Sequence, residues 1–239
     1  MSGGPGVGLV LGASAGIGAA LTRRLAATAT RLHAASRRGL ADAGAGSNVV
    51  AHTCDVRSHR QVSELFETVG DQIDFVVICV GVGFYAPLDD DYSTAWREMT
   101  ETNLVGLANV LAVAYRTRPD IGTIINISSL AAHRVSRTPG NIMYTATKTG
   151  ARILLDDFRR RIRTEGRTTR IMSISPGFVA GTDFDDHFYR DAPHARTDLF
   201  ASDGSMSPDD VARLIEFILT TPPEVEIADL LVRPMTQIE

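Results

Sequence analysis

Tyr144 and Lys148 lie four residues apart in Tyr144-Thr145-Ala146-Thr147-Lys148, a stretch that reads as helix. Positions at that spacing share one helical face, so a phenol and an ammonium can point into the same cleft. Lys148 is the only lysine in the chain, against 23 arginines. An arginine is a planar fork that stays charged, whereas an ammonium is a compact charge that fits beside a phenol and a pair of hydroxyls. Position 148 is therefore marked as one where arginine does not serve. The chemistry open to the pair is proton transfer. A free phenol has a pKa of about 10, and a positive neighbour is expected to bring it toward neutrality. The alternative is an exposed pair on a helix surface.

A second group lies near the start of the chain, where Gly12-Ala13-Ser14-Ala15-Gly16-Ile17-Gly18 joins an apolar run to an alanine-rich segment. Glycines let the backbone turn tightly and approach a pyrophosphate, whose charge then meets free N–H groups and the positive end of a helix. Glycine spacing alone is weak, and an ordinary tight turn is the alternative. Its position between the first strand and the first helix favours a dinucleotide site.

The elements that must position these residues are short apolar runs alternating with longer amphipathic segments. Strands are expected over residues 7–11, 32–35, 49–53, 75–80, 123–127, 171–175 and 227–232. Helices are expected over 17–28, 57–68, 93–115 with a break near Asn103, 142–163, and 208–221 with Ser207 as N-cap and Pro208 in the first turn. The strand runs are nearly continuous in Val, Ile and Leu, as in a parallel sheet covered on both faces. The expected fold is thus an α/β, Rossmann-type doubly wound parallel sheet of seven strands, one domain over residues 1–239, with ligands beyond the carboxyl ends of the strands. Residues 177–207 are polar, mixed and too long for an ordinary connection, which predicts a substrate loop.

Composition narrows the function classes. The chain has 239 residues, 44% of them apolar, and a net charge of −4. That balance gives no basic field for nucleic acid or anionic lipid and leaves small-molecule chemistry in front. No disulfide or metal staple is needed at this length. Cys54 and Cys79 lie in apolar runs and read as small hydrophobes in a reducing cytoplasm. No export signal or membrane span is found.

With the glycine loop and the Tyr144/Lys148 pair in view, the chain resembles the short-chain dehydrogenase/reductase family, in its single-domain branch, over nearly its whole length. The resemblance implies that Ser129, in Asn126-Ile127-Ser128-Ser129, hydrogen-bonds the reacting oxygen, and that Asn103 holds a water in a proton relay to Lys148. Each has a structural alternative, Ser129 as a strand-end cap and Asn103 as a helix-kink residue. It implies cofactor contacts from Gly12, Ser14, Ala15, Gly16, Ile17 and Gly18, and from Tyr144 and Lys148. Asp55 with Val56 would lie beside the adenine, Asp55 serving equally as N-cap of the following helix. Gly81 would close the fourth-strand turn, and Pro176, Gly177, Val179 and Thr182 would approach the nicotinamide. Homodimer or homotetramer formation through the helices flanking the fifth strand is implied as well.

The site's physics follows from charge. Hydride transfer to a carbonyl builds negative charge on its oxygen, and a donor aimed at that oxygen stabilises the transition state more than the ground state. Tyr144 is expected to supply the proton and Ser129 to orient the carbonyl. Cofactor choice rests on the end of the second strand. An acidic residue there would bind the ribose 2′-hydroxyl of NAD and repel a 2′-phosphate. Ser36 takes that place, followed by Arg37 and Arg38, which suits the dianion of NADP(H).

Several positions depart from the family pattern. Leu11 replaces a threonine, Cys79-Val80-Gly81 stands where Asn-Ala-Gly is usual, and the Ser129 to Tyr144 interval is two residues longer than usual. The longer serine loop, with His133, Arg134 and Arg137, is expected to reshape the substrate mouth. The tail from Pro222 to Gln237 and the run Gly181-Thr182-Asp183-Phe184 are similar to the subgroup acting on short 3-hydroxy and 3-oxo acids. Arg134, Arg190, His194 and Arg196 are candidate partners for a substrate carboxylate, each with a solvated surface role as the alternative. The expected activity is an NADP(H)-dependent oxidoreductase acting on a small carbonyl or alcohol. A catalytically idle NADP-binding sensor or scaffold remains the alternative, and a nucleic-acid-binding regulator is disfavoured by charge.

Overall fold

The computed structural model describes residues 6–40, 46–70, 72–89, 91–135, 140–196 and 204–237. Its strands are β1 (Val7–Leu11), β2 (Arg31–Ser36), β3 (Val49–Thr53), β4 (Phe75–Ile78), β5 (Thr123–Ile127), β6 (Arg170–Pro176) and β7 (Leu230–Val232). Its helices are α1 (Gly16–Leu25), α2 (His59–Val69), α3 (Ser93–Thr100), α4 (Gly106–Thr117), α5 (Ile142–Thr164), α6 (Phe184–Phe188) and α7 (Pro208–Leu219). The strands form one parallel sheet in the order β3-β2-β1-β4-β5-β6-β7, a doubly wound fold whose order reverses between β1 and β4. Each crossover helix packs its apolar stripe on the sheet. Val62, Phe66, Leu107, Val110, Leu155 and Ile162 of α2, α4 and α5 cover one face. Leu21 and Leu25 of α1 and Val211, Ile215 and Ile218 of α7 cover the other. With both faces covered, the central strands carry apolar residues without alternation.

Two expectations on elements are corrected. The fourth strand stops at Ile78 rather than residue 80, and the seventh begins at Leu230 rather than residue 227. Cys79 still donates its N–H to Leu11 O at 2.8 Å, but the chain then leaves the sheet toward the cleft. The break near Asn103 is a π-helical turn, Glu101–Val105, between α3 and α4. Such turns locally reset the facing of side chains and are frequent at functional positions. At the start of α7 the sequence reading of Ser207 as N-cap holds, while the helix ends at Leu219 rather than residue 221. Ser207 accepts from Asp210 N, the Asp210 side chain accepts from Ser207 N, and Pro208 occupies the first turn.

Candidate functional site

The carboxyl ends of β1 to β6 open into a cleft of about 370 Å³ lined from every one of those ends, by Gly12, Arg37, Cys54, Cys79, Ser128 and Gly177 among others. At one end lies the glycine loop. Gly12 has φ of +84°, and a Cβ there would fall 2.8 Å from the Cys79 backbone. Gly12 and Ala13 donate their N–H groups to Ala35 O at 2.8 and 3.1 Å, which pins the turn to β2. Ser14, Ala15, Gly16 and Ile17 line the cleft. Gly18 is not among the lining residues: it is buried, and a Cβ there would stand 2.1 Å from Gly12 O. Its part is to let α1 approach the loop. Helix α1 starts after Ala15 without a side-chain cap, leaving first-turn N–H groups for an anion.

Beside the loop, Ser36 Oγ donates to Gly39 O at 2.7 Å. Arg38 Nη2 lies 3.1 Å from Asp183 Oδ2, joining the end of β2 to the segment before α6. Arg37, also on the lining, has no ion pair among the described residues. Asp55 accepts from Arg57 N at 3.0 Å and from Arg57 Nε at 2.9 Å. The Arg57 guanidinium holds its carboxyl below the usual range. The helix-capping role open to Asp55 falls instead to Ser58, whose side chain accepts from Gln61 N, because α2 begins two residues later than expected. Asp55 and Val56 remain on the cleft lining.

At the other end stand Tyr144 and Lys148, buried on one face of α5 at 8% and 5% exposure. The surface-pair alternative is therefore excluded. Lys148 Nζ lies 5.7 Å from the Tyr144 ring centroid and donates to Ile127 O at 3.1 Å. A Cβ on Gly81 would meet Nζ at 3.0 Å, so a glycine there admits the ammonium. Ser129 follows β5, accepts from Ala131 N at 3.1 Å as cap of the 3₁₀ turn Leu130–Ala132, and hydrogen-bonds Tyr144. The capping role open to it is filled, and its hydroxyl also meets the Tyr144 phenol.

The electrostatics correct one expectation. Burial pushes the Tyr144 phenol up to about 12, with the Ser129 hydrogen bond pulling the other way. The downward shift expected from Lys148 is absent, burial being the largest influence on the phenol; the ammonium is desolvated as well, its own pKa lowered to about 8. A phenol held neutral is a proton donor throughout the physiological range.

Asn103 is buried but does not line the cleft. Its Oδ1 accepts from Val82 N and its Nδ2 donates to Val82 O, both at 2.8 Å, and Nδ2 also donates to Thr147 Oγ1 at 3.1 Å. The side chain clamps the chain leaving β4 onto α5 rather than contacting Lys148.

The substrate loop contains more structure than expected: α6, the 3₁₀ turn Pro193–Ala195 and a bridge from Val179 to Met206. Pro176, Gly177, Val179 and Thr182 all line the cleft, and a Cβ on Gly16 would touch Thr182 Cγ2 at 3.3 Å. Phe184 packs edge-to-face on Tyr144 with centroids 5.4 Å apart, and Phe188 stacks behind it at 5.9 Å. The tail returns to the same place, where Gln237 Oε1 accepts from Phe178 N at 3.0 Å. Phe188 and Asn141 line the cleft without having been singled out, and Phe184 and Gln237, named only as the ends of two runs, line it too. The helical spacing of the two phenylalanines was the available signal.

Among candidate carboxylate partners, Arg134 lines the cleft. Arg190 is paired with Asp191 and Glu98, and Arg196 with Asp185 and Asp186. His194 packs near the Tyr85 ring. None of these three lines the cleft. His133 turns away from the mouth it was expected to shape and lies 2.9 Å from Asp229 Oδ2. Arg137 falls outside the described residues.

A doubly wound sheet whose switch point faces a glycine turn, with a buried phenol and ammonium farther along the same cleft, defines a class of dinucleotide-dependent oxidoreductases. The short chain dehydrogenase family model matches residues 7–192, and the chain belongs to that family. It is 30% identical to dehydrogenase/reductase SDR family member 11 of Bos taurus, over 96% of each chain. It is 29% identical to an NADP-dependent 3-hydroxy acid dehydrogenase of Shigella flexneri, covering 96% of this chain and 95% of that one. The closed form of a serine dehydrogenase complexed with NADP+ superposes with a TM-score of 0.85 at 27% identity, over 97% of this chain and 96% of that one. No helix among the described residues is long and apolar enough to cross a membrane.

Proposed function

We propose that the protein is an NADP(H)-dependent carbonyl reductase or alcohol dehydrogenase acting on a small ketone, 3-oxo acid or 3-oxoacyl substrate and the matching alcohol. The observation that carries the reading is the joining of Ser129, Tyr144 and the buried Lys148 at one end of a cleft that holds the glycine turn at the other. The residues fit a dinucleotide. The turn leaves no room for side chains at Gly12 and Gly18, α1 offers uncapped N–H groups, and Ser128 Oγ is a buried cleft atom without a partner among the described residues.

Gly12, Ser14, Ala15, Gly16 and Ile17 would hold the pyrophosphate and Gly18 would keep α1 close to it. Arg37, with Arg38 and Ser36, would receive the ribose 2′-phosphate; the guanidinium of Arg37, without an ion pair among the described residues, favours NADP(H) over NAD(H). Asp55 and Val56 would flank the adenine, while Gly81, Pro176, Gly177, Val179 and Thr182 would border the nicotinamide end. The cofactor supplies or receives the hydride. Tyr144 gives its proton to the developing oxyanion, and Ser129 hydrogen-bonds the same oxygen. Lys148 would hold the ribose hydroxyls. Asn103 keeps the β4 exit against α5 so that Gly81 admits the ammonium.

Reduction is the favoured direction, since cells keep NADPH largely reduced. The unpaired thiols of Cys54 and Cys79 suit the cytoplasm. Association into a homodimer or homotetramer would cover apolar side chains such as the exposed Ile153 on α5. The test is a panel of ketones, 3-oxo acids and 3-oxoacyl thioesters offered with NADPH and with NADH. Turnover with preference for NADPH is expected. NADPH binding without turnover on any member would return the protein to the idle sensor reading.

A further inference from the structure

The cations around the cleft differ in whether their charge is already met. Arg57 is held by Asp55 and Arg38 by Asp183. Arg134, on the lining and five residues beyond Ser129, has neither an ion pair nor a hydrogen bond among the described residues. Arg134 is exposed, and the residue before it is anchored. His133 Nε2 lies 2.9 Å from Asp229 Oδ2 and 3.0 Å from Ser175 Oγ, and Ser175 Oγ donates to Asp229 Oδ1 at 2.8 Å. Ser175 is fully buried and immediately precedes Pro176 at the cleft. Arg152 Nε donates to Ala132 O at 3.3 Å, so the serine loop is tied down at Ala132 as well as at His133. Also on the lining, Asn141 Oδ1 is buried without a partner among the described residues, whereas Phe184 and Phe188 make the wall by Tyr144 apolar.

We propose that Arg134 determines specificity for a short oxo or hydroxy acid by pairing with its carboxylate, and that His133 is the residue that positions it. The inference rests on the carbonyl reductase reading. A guanidinium on the cleft lining, next in sequence to a part-buried hydrogen-bonded cluster anchored on the buried Ser175, recognises a carboxylate through charge-assisted bonds. Asn141 Oδ1, an acceptor, suits a hydroxyl or ammonium on the same substrate rather than its carboxylate.

The experiment compares a short 3-oxo acid with its methyl ester, each reduced with NADPH, in the wild type, Arg134→Gln, His133→Ala and His133→Gln. The wild type is expected to prefer the acid in kcat/KM. Arg134→Gln should reduce that preference about tenfold or more through KM, with NADPH affinity within about twofold of wild type. His133→Ala should reduce it in the same direction, and His133→Gln, which can still donate to Asp229, should restore most of it. Thermal unfolding separates loss of fold from loss of recognition. Equal kcat/KM for acid and ester in the wild type, or an unchanged ratio in Arg134→Gln, would overturn the inference and leave the reductase reading intact. Failure of the wild type to reduce either compound or any other carbonyl would remove both.

Discussion

Replacing Lys148 with methionine should make the cofactor-free protein more stable near pH 7 while abolishing its activity. Burial lowers the Lys148 pKa from 10.5 to about 8. At pH 7 the amine is protonated both folded and unfolded, so the folded state carries the cost of a desolvated charge. At about 1.4 kcal/mol per pKa unit, 2.5 units amount to roughly 3 kcal/mol. The cost fades as pH rises from 8 to 10.5, because the folded protein loses the proton first, and it vanishes once the amine is neutral in both states. Methionine fills a similar volume without charge but leaves Ile127 O without its donor, a loss of about 1 kcal/mol. The net expectation is a gain of about 2 kcal/mol at pH 7 that shrinks toward zero and reverses near pH 10. Denaturant unfolding of both proteins without cofactor at pH 7 and pH 10 reads it directly. A variant less stable than wild type at pH 7, with a difference that does not change with pH, would refute the reasoning.

Arg37→Ala should raise the KM for NADPH about tenfold or more and the KM for NADH little, measured by initial rates with each cofactor. Arg38→Ala should have a smaller effect on the same ratio, because its guanidinium is already paired with Asp183. Gly18→Ala places a Cβ 2.1 Å from Gly12 O, a backbone atom that cannot swing aside. It should cost about 1–3 kcal/mol in thermal unfolding and weaken NADPH binding in fluorescence titration by more than the stability loss alone accounts for.

Sequence conveyed most of this architecture because its signals are local. Apolar runs without alternation require covered strands, and the capping box at Ser207 and Asp210 fixes where α7 starts. The Tyr144/Lys148 spacing carries the cleft's active end because one helix face is a local property too. What stayed hidden depends on contacts far apart in the chain. Asp55 looked like a helix cap, but whether a carboxylate caps a helix or pairs with Arg57 is decided by where α2 starts. His133 looked like a mouth residue, yet its partners Ser175 and Asp229 lie 42 and 96 positions away in the sequence. The direction of the Tyr144 shift turned on burial, which a pair of residue types does not specify. The departure at Cys79 is accommodated simply: the thiol is a small group in the cleft wall, its pKa pushed up by burial to about 12.

The most direct measurement is turnover by Tyr144→Phe. The ring keeps its packing on Phe184 and loses only the hydroxyl that meets Ser129. Carbonyl reduction, followed as NADPH absorbance, should fall about 10²- to 10⁴-fold while the NADPH dissociation constant stays within a few-fold of wild type. A variant that turns over carbonyl at a rate close to the wild type would contradict the assignment of the phenol as proton donor.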